Sequence, residues 1–111
     1  MRTGFCTVYV TTGNRAEALV IARTVVAEKL AACANILGEI TSVYEWQGEV
    51  HEDGEAALVL KTRTGLFDDL AARIRELHSY DCPCIVAWPI EAGSEDYLSW
   101  LADQTRKCVV K

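Results

Sequence analysis

The sequence predicts an α+β fold in which strands and helices alternate along the chain. Hydrophobic residues alternate with polar ones in strand-like stretches and recur every three to four residues in helix-like stretches. Turn residues such as Gly and Asp separate these stretches. Their order is β-α-β-β-α-β with an additional C-terminal helix, which is the order of the ferredoxin-like split βαβ fold. With 111 residues, the chain has the length of one domain, so residues 1–111 are predicted to form a single domain.

The first strand and the first helix are predicted from residue type and spacing. Phe5–Val10 is rich in β-branched and aromatic residues, and Thr11–Gly13 ends this strand. Asn14 followed by Glu17 resembles a capping box, which predicts the start of a helix. The apolar face of that helix is predicted at Leu19, Ala22, Val26, Leu30 and Cys33, widened by Ile21 and Val25. We therefore expect Cys33 to be a small buried residue of the core.

A long β-hairpin is predicted after this helix. Ile36–Val50 is strand-like, and Ala56–Lys61 has the apolar composition of a buried strand. Glu52–Glu55 contains an Asp-Gly pair, so the turn is expected there. Tyr44 and Trp46 fall on one face of the ribbon. Because a two-stranded ribbon is marginally stable alone in water and exposed aromatic clusters mark interfaces, we expect the arm to pack against another copy of the chain.

Two helices and a strand complete the predicted fold. Thr64–His78 has apolar residues at helical spacing, and Cys84–Ile90 is a strand that Pro89 closes. Ser94 is the expected N-cap of the third helix, since two acidic residues follow it in the first turn.

Composition limits the partners that the protein is expected to have. The chain has 16 acidic and 11 basic residues and a net charge of −5, without a Lys/Arg cluster, so nucleic acid is not an expected partner. No apolar run has the length of a membrane span, and Met1–Cys6 lacks the apolar region of a signal peptide. Five cysteines are an odd number, without the spacing of a disulfide framework. These features predict a cytoplasmic protein with reduced thiols and no membrane partner.

Metal-binding residue types are concentrated in the segment His78–Cys84, between the second helix and the last strand. Alternate residues of an extended segment share a face, so Cys82 and Cys84 can project to one side. Two thiols with a nearby imidazole suit a soft or borderline ion such as Cu(I) or Zn(II). His78, Cys82 and Cys84 are therefore the candidate metal ligands. The alternative is a helix-to-strand turn with two small, partly buried thiols.

Motifs of catalysis are absent from the sequence. It contains no Gly-x-Ser-x-Gly, no glycine-rich phosphate loop and no His-Glu-x-x-His. A Cys–His pair could be formed by Cys82 or Cys84 with His78, but no residue that would orient the imidazole is evident. We therefore expect a binding protein and not an enzyme.

Five stretches of the sequence carry a family resemblance, in order along the chain. They are Glu28–Ile36, Thr41–Glu49, Leu60–Thr62, Leu77–Pro83 and Tyr97–Trp100. Together they resemble the CutA divalent-cation tolerance proteins. The resemblance implies a ferredoxin-like fold, a homotrimer built partly by the long hairpins, and a link to copper and other divalent cations. It also implies an architecture similar to that of the PII signalling trimers, which bind small effectors between subunits.

The sequence departs from this family at the expected copper site. Family members that are assigned such a site use a Cys at the end of the first strand and two adjacent His, and the matching positions here look like Val10, Leu77 and His78. The family also usually has Pro and Glu where this chain has Ser79 and Cys84. Only His78 of the family's copper ligands is retained, and the two thiols of the 82–84 segment offer a replacement.

The resemblance and the residues together predict a cytoplasmic homotrimer that binds copper-type ions or acts in the response to metal ions. The alternative is a PII-like module that binds a small effector in an inter-subunit cleft, with Tyr44, Trp46 and Tyr80 at the trimer interface or in this cleft. A trimeric scaffold without a ligand is the third possibility. A nucleotide sensor would need basic residues in the cleft, and this acidic chain has few.

Overall fold

The computed structural model describes residues 3–107, so residues 1–2 and 108–111, including Cys108, lie outside the described part of the chain. The elements in order are β1 Phe5–Thr12, α1 Arg15–Ala27, β2 Cys33–Trp46, β3 Glu49–Arg63, α2 Phe67–Leu77, β4 Ile85–Pro89 and α3 Glu95–Asp103, with a 3-10 turn at Thr64–Leu66. The strands form an antiparallel sheet in the order β2-β3-β1-β4. The predicted α+β fold and its element order are confirmed. No helix within residues 3–107 is long and apolar enough to cross a membrane.

One face of the sheet forms the hydrophobic core. Val8 pairs with Leu60 and Val10 pairs with Leu58 across β1 and β3, and all four side chains are fully buried. The helices α1 and α2 cover this face and contribute Ile21, Val25, Leu70 and Ile74 to the same cluster. Each such side chain stabilises the fold by about 1.5–3 kcal/mol relative to an exposed position.

The opposite face of the sheet, which we call the open face, carries exposed apolar side chains. Trp88, paired with Thr7, is 50% exposed, and Val86 and Leu37 are exposed to a similar degree. Residue alternation places these side chains opposite the core. The helix α3 reaches one end of this face, where the ring of Tyr97 lies 6.0 Å from Lys61 Nζ. Large apolar side chains gathered on one surface are typical of an interaction site.

The hairpin turn lies at Gln47 and Gly48, so the predicted turn at Glu52–Glu55 is wrong. The φ angles of Gln47 and Gly48 are 51° and 81°, and two successive left-handed residues are what a type I′ turn requires. Gly54 is instead paired with Thr41 within the ladder of β2 and β3.

The pairing of apolar residues between β2 and β3 explains why the hairpin does not turn at Asp53-Gly54. A two-residue turn at Asp53-Gly54 would place the buried residues Leu58 and Leu60 opposite polar residues at positions 49 and 47. The observed register places them opposite Ile36 and Ala34. Because register follows the hydrophobic pattern of the buried face, the turn moves to the tip of a longer arm.

The predicted position of Cys33 on the apolar face of α1 is also wrong. The helix ends at Ala27, and Lys29 adopts a left-handed φ of 60°. The Leu30 N–H then donates to the Val25 carbonyl at 2.9 Å, which is a hydrogen bond of helix termination. Cys33 consequently becomes the first residue of β2. It is half-buried and pairs with Lys61, on the open face.

Candidate functional site

A groove with a volume of about 600 Å³ lies on the open face, between the hairpin arm and the segment that connects α2 to β4. Antiparallel pairing brings Tyr44 opposite His51 and Ile40 opposite Glu55. Ile40 and Tyr44 are four residues apart on β2 and share a face, so Tyr44 and Glu55 project to the same side of the arm. The side chains that bound the groove include Tyr44, Trp46, Glu55, Tyr80, Cys82 and Cys84. The structure therefore brings the predicted cleft residues and both candidate thiols to one surface.

Tyr44 and Trp46 form the wall of the groove that belongs to the arm. The Tyr44 hydroxyl donates to Asp53 Oδ2 at 2.5 Å, and its ring stacks on His51 with centroids 5.4 Å apart. The hydrogen bond to Asp53 raises the pKa of Tyr44, so the phenol remains a neutral donor. Trp46 is 50% exposed. These rings therefore present exposed aromatic surface for a partner or a ligand.

Tyr80 forms the facing wall of the groove. Its hydroxyl donates to Glu55 Oε2 at 2.8 Å, and its ring lies against His78 with centroids 4.7 Å apart. Partial burial, followed by the hydrogen bond to Glu55, strongly raises the pKa of Tyr80. The phenol therefore stays protonated at physiological pH and links the 78–84 segment to β3.

Both ring nitrogens of His78 make hydrogen bonds within the chain. Nδ1 accepts from the Tyr80 backbone N–H at 3.1 Å, so Nε2 carries the proton and donates to the Thr11 carbonyl 2.8 Å away. This pattern assigns a neutral imidazole with its only lone pair in use. His78 can ligate a metal ion only if the contact with the Tyr80 N–H opens.

Glu17 holds the start of the 78–84 segment against the loop after β1. Its Oε2 accepts from the Ser79 N–H and its Oε1 from the Gly13 N–H, both at 2.8 Å. Partial burial opposes the charge, but these hydrogen bonds prevail and hold the pKa of Glu17 below its ordinary value. The sequence indicates the capping role correctly, since Asn14 Oδ1 accepts from the Glu17 N–H at 2.8 Å. Nothing in the local sequence indicates the long-range contact with Ser79.

Cys82 and Cys84 are exposed and free, which differs from the partly buried thiols of the alternative prediction. Within residues 3–107, no three or more His, Cys, Asp or Glu side chains are grouped closely enough to hold a metal ion. The structure thus does not bring His78 into one ligand set with the two thiols. The contribution of His78 to metal binding therefore stays a prediction.

Comparison with known proteins identifies the family. Residues 6–104 match the family described as CutA1 divalent ion tolerance protein. The chain belongs to this family. It is 47% identical over 98 residues to the divalent-cation tolerance protein CutA of Thermus thermophilus, which covers 88% of this chain and 95% of that protein.

Two plant proteins extend the comparison. The chain is 48% identical over 99 residues to the chloroplastic protein CutA of Arabidopsis thaliana, covering 89% of this chain and 54% of that protein, so it spans about half the length of this relative. The crystal structure of CutA1 from Oryza sativa has a TM-score of 0.92 at 42% identity and covers 96% of this chain and 97% of that one. The family resemblance and the fold predicted from the sequence are confirmed.

Proposed function

We propose that this CutA-family chain is a metal-tolerance protein that binds copper-type ions through the thiolates of Cys82 and Cys84, without catalysing a reaction. The observation that carries the proposal is the exposure of both thiols at the edge of one groove. Thiolates are soft ligands that favour Cu(I) over hard cations. Two thiolates from residues i and i+2 can reach one ion without a change in the sheet.

In this proposal His78 contributes less to metal binding than the thiols do. Its Nδ1 becomes a third ligand when the contact with the Tyr80 N–H opens. The hydrogen bond that is lost, worth about 0.5–1.5 kcal/mol, offsets part of the gain from the additional ligand. Replacing His78 should therefore weaken metal binding less than replacing the thiols.

The proposed functional unit is a homotrimer. The molecule measures 44 × 26 × 25 Å, and the long arm and the open face both carry exposed apolar groups, among them Trp46 and Trp88. Symmetric self-association would cover these groups with copies of the same surface. Tyr44, Trp46 and Tyr80 would then lie at the subunit interface or in a cleft beside it.

A second candidate function is the binding of a small effector in the groove. The aromatic walls formed by Tyr44, Trp46 and Tyr80 favour it, since such rings provide much of the contact area in ligand sites. The groove lining, as the structure describes it, includes no Lys or Arg. An uncharged or cationic effector would therefore fit better than a nucleotide.

The proposal also covers compartment and partners. We place the protein in the cytoplasm, where exposed thiols such as Cys82 and Cys84 remain reduced. Its partners are metal cations and further copies of the chain, which we take to fold as one domain over residues 1–111. Nucleic acid is not among them, since a net charge of −5 repels phosphate.

Anaerobic titration of the reduced protein with Cu(I), followed by native mass spectrometry, tests this function. We expect a trimer whose copper content rises to a defined number per subunit, with no uptake of Mg²⁺ or Ca²⁺, which prefer oxygen ligands. Binding should weaken as the pH falls, because protons compete for the thiolates. The Cys82→Ser/Cys84→Ser variant should lose copper and remain a trimer.

Two single variants complete the test. Cys33→Ser removes a thiol outside the groove and should bind copper like the parent, whereas His78→Ala should bind with moderately reduced affinity. A chromogenic Cu(I) chelator measures each affinity by competition. If the double serine variant holds copper as tightly as the parent, the proposed site is wrong.

A further inference from the structure

We propose that Cys82 and Cys84 are also a redox site, which exchanges with low-molecular-weight disulfides and closes into a Cys82–Cys84 disulfide. Disulfide formation stands on the geometry of the thiol pair alone. Its consequence, the redox control of metal binding, rests on the function proposed above.

Exposure selects this pair among the described thiols. Cys82 and Cys84 are exposed and border the same groove. Cys6 is only 3% exposed, and its burial disfavours the thiolate that attacks a disulfide. Cys33 is half-buried, and its Sγ lies 3.6 Å from Asn35 Oδ1. A reagent from solution should therefore meet the 82–84 pair first.

The spacing of the pair permits a disulfide without a change in the sheet. An extended chain advances about 3.3 Å per residue, which separates Cα atoms two residues apart by about 6.6 Å. Disulfides join Cα atoms about 4.4–6.8 Å apart and Cβ atoms about 3.5–4.5 Å apart, so the Cα separation falls inside its range near the upper limit and the two Cβ atoms must move towards each other. Both thiols precede β4, which begins at Ile85, so residues 82–84 can close on each other while the strand keeps its pairing.

The same spacing predicts a reversible bond. A disulfide near the limit of the allowed separation is strained, and strained or exposed disulfides are more readily reduced than structural ones. Pro83 restricts the backbone between the two thiols because its ring fixes φ. The bond should therefore form under mild oxidation and reopen with a thiol reductant.

The exchange needs a low-molecular-weight disulfide, RSSR, as the oxidant. One thiolate of the pair attacks a sulfur of RSSR, forms a mixed disulfide and releases one RS⁻. The second thiolate attacks the protein sulfur of the mixed disulfide, forms the Cys82–Cys84 bond and releases the other RS⁻. The thiol pair loses two electrons and two protons. RSSR takes up both and becomes two molecules of RSH. The second step is intramolecular and is therefore favoured.

The charge of the groove favours a cationic disulfide. Glu55 and Asp81 belong to its lining, whereas the residues that line it in the described chain include no Lys or Arg. Cystamine, which is cationic, should react faster at low salt than at high salt, and oxidised glutathione, which is anionic, should show the opposite dependence. Comparing the rate of each reagent at low salt with its own rate at high salt removes the difference in intrinsic reactivity between the two reagents.

Mass spectrometry of the reduced full-length protein after exposure to cystamine tests the redox site. After acid quenching and alkylation, we expect the peptide that contains both thiols to be lighter by two hydrogen atoms and unalkylated. Dithiothreitol should restore both alkylation sites. Cys82→Ser and Cys84→Ser should each stop at the mixed disulfide with cysteamine, whereas Cys33→Ser should behave like the parent.

Two results would overturn the redox site: a parent protein that accumulates only mixed or intermolecular disulfides, or equal reaction rates at Cys33 and the pair. Cu(I) competition on the reduced and oxidised protein then tests the coupling, because only thiolates bind the metal. We expect the oxidised protein to lose copper affinity to the same extent as the double serine variant.

Failure of the metal site and failure of the redox site are distinguishable. If the disulfide forms but the reduced protein binds no copper, the proposed metal function fails and the redox site stands. If the reduced protein binds copper through the pair but no Cys82–Cys84 bond forms, the redox inference fails. If the mapped disulfide leaves copper affinity unchanged, redox control is wrong.

Discussion

Replacing Glu17 with Gln should loosen the 78–84 segment while leaving the core intact. The carboxylate accepts N–H groups from both Gly13 and Ser79 at 2.8 Å, whereas the amide of Gln offers only one oxygen to the two donors. A hydrogen bond to a charged group contributes about 1.5–3 kcal/mol, and solvent around Ser79 reduces this value. We therefore expect the local opening free energy to fall by about 1–2 kcal/mol, which is about a five- to thirtyfold change in the opening equilibrium.

Amide hydrogen exchange read residue by residue measures this change. Exchange at the Ser79 and Tyr80 amides should accelerate about five- to thirtyfold, while exchange at amides of the β1–β3 ladder should be unaffected. Glu76→Gln is the matched control, since among residues 3–107 the Glu76 carboxylate makes only an exposed ion pair with Arg73 at 3.4 Å. Such a pair contributes about 0–1 kcal/mol. Equal exchange at Ser79 in Glu17→Gln, Glu76→Gln and the parent would refute the assigned role of Glu17.

The pH dependence of the same amides gives a second readout. The folded chain holds the pKa of Glu17 below its ordinary value, which is about 4.3 for an unperturbed Glu. The stabilisation is therefore complete above that pH and is lost as the pH falls through the depressed pKa. Protection of Ser79 in the parent should decline below about pH 4.3, and Glu17→Gln should lack this decline. A parallel decline in both proteins would contradict the assignment.

Three further predictions address the assembly, the thiols and the hairpin. Sedimentation equilibrium at micromolar concentration should report a trimer, and a monomer would exclude the proposed assembly. Alkylation of the native reduced protein should label Cys82 and Cys84 before Cys33, and equal rates would contradict the burial that distinguishes them. Gly48→Ala should destabilise the protein by about 1–2 kcal/mol in urea unfolding, because the residue has a φ of 81°. In Gly54→Ala the added Cβ would meet no atom within 4 Å, and Gly54 has no positive φ, so this variant should have a smaller effect than Gly48→Ala.

Element order was predictable because it depends on the period of apolar residues along the chain. Alternation in β1 and β3 and helical spacing in α2 follow from which side chains must be buried. The turn was not predictable from local preference alone. An Asp-Gly pair favours a type I′ turn, but placing it there would set Leu58 opposite Glu49, and the observed register sets Leu58 opposite Ile36. Burial over the whole strand outweighs the preference of two residues.

The candidate site was predictable only where its geometry is local. Cys82 and Cys84 are near each other because only Pro83 lies between them in the sequence, whatever the rest of the fold does. The state of His78 depends on the Thr11 carbonyl, which is 67 residues away in sequence, and the orientation of Tyr80 depends on Glu55, which is 25 residues away. Spacing carries no information on such partners, so the sequence predicted His78 as a candidate metal ligand without indicating that both of its ring nitrogens make hydrogen bonds within the chain.

This division between local and long-range contacts explains why residues 78–80 are held in place while the thiols of Cys82 and Cys84 remain exposed. Glu17, Thr11 and Glu55 hold residues 78–80 by hydrogen bonds to backbone and side chains, whereas Cys82 and Cys84 are exposed. Fixing the start of the segment limits the entropy lost when the thiols converge on an ion or on each other. Both outcomes consume the same pair of sulfur atoms. Each should therefore inhibit the other, with metal protecting the thiols from oxidation as strongly as oxidation weakens metal binding.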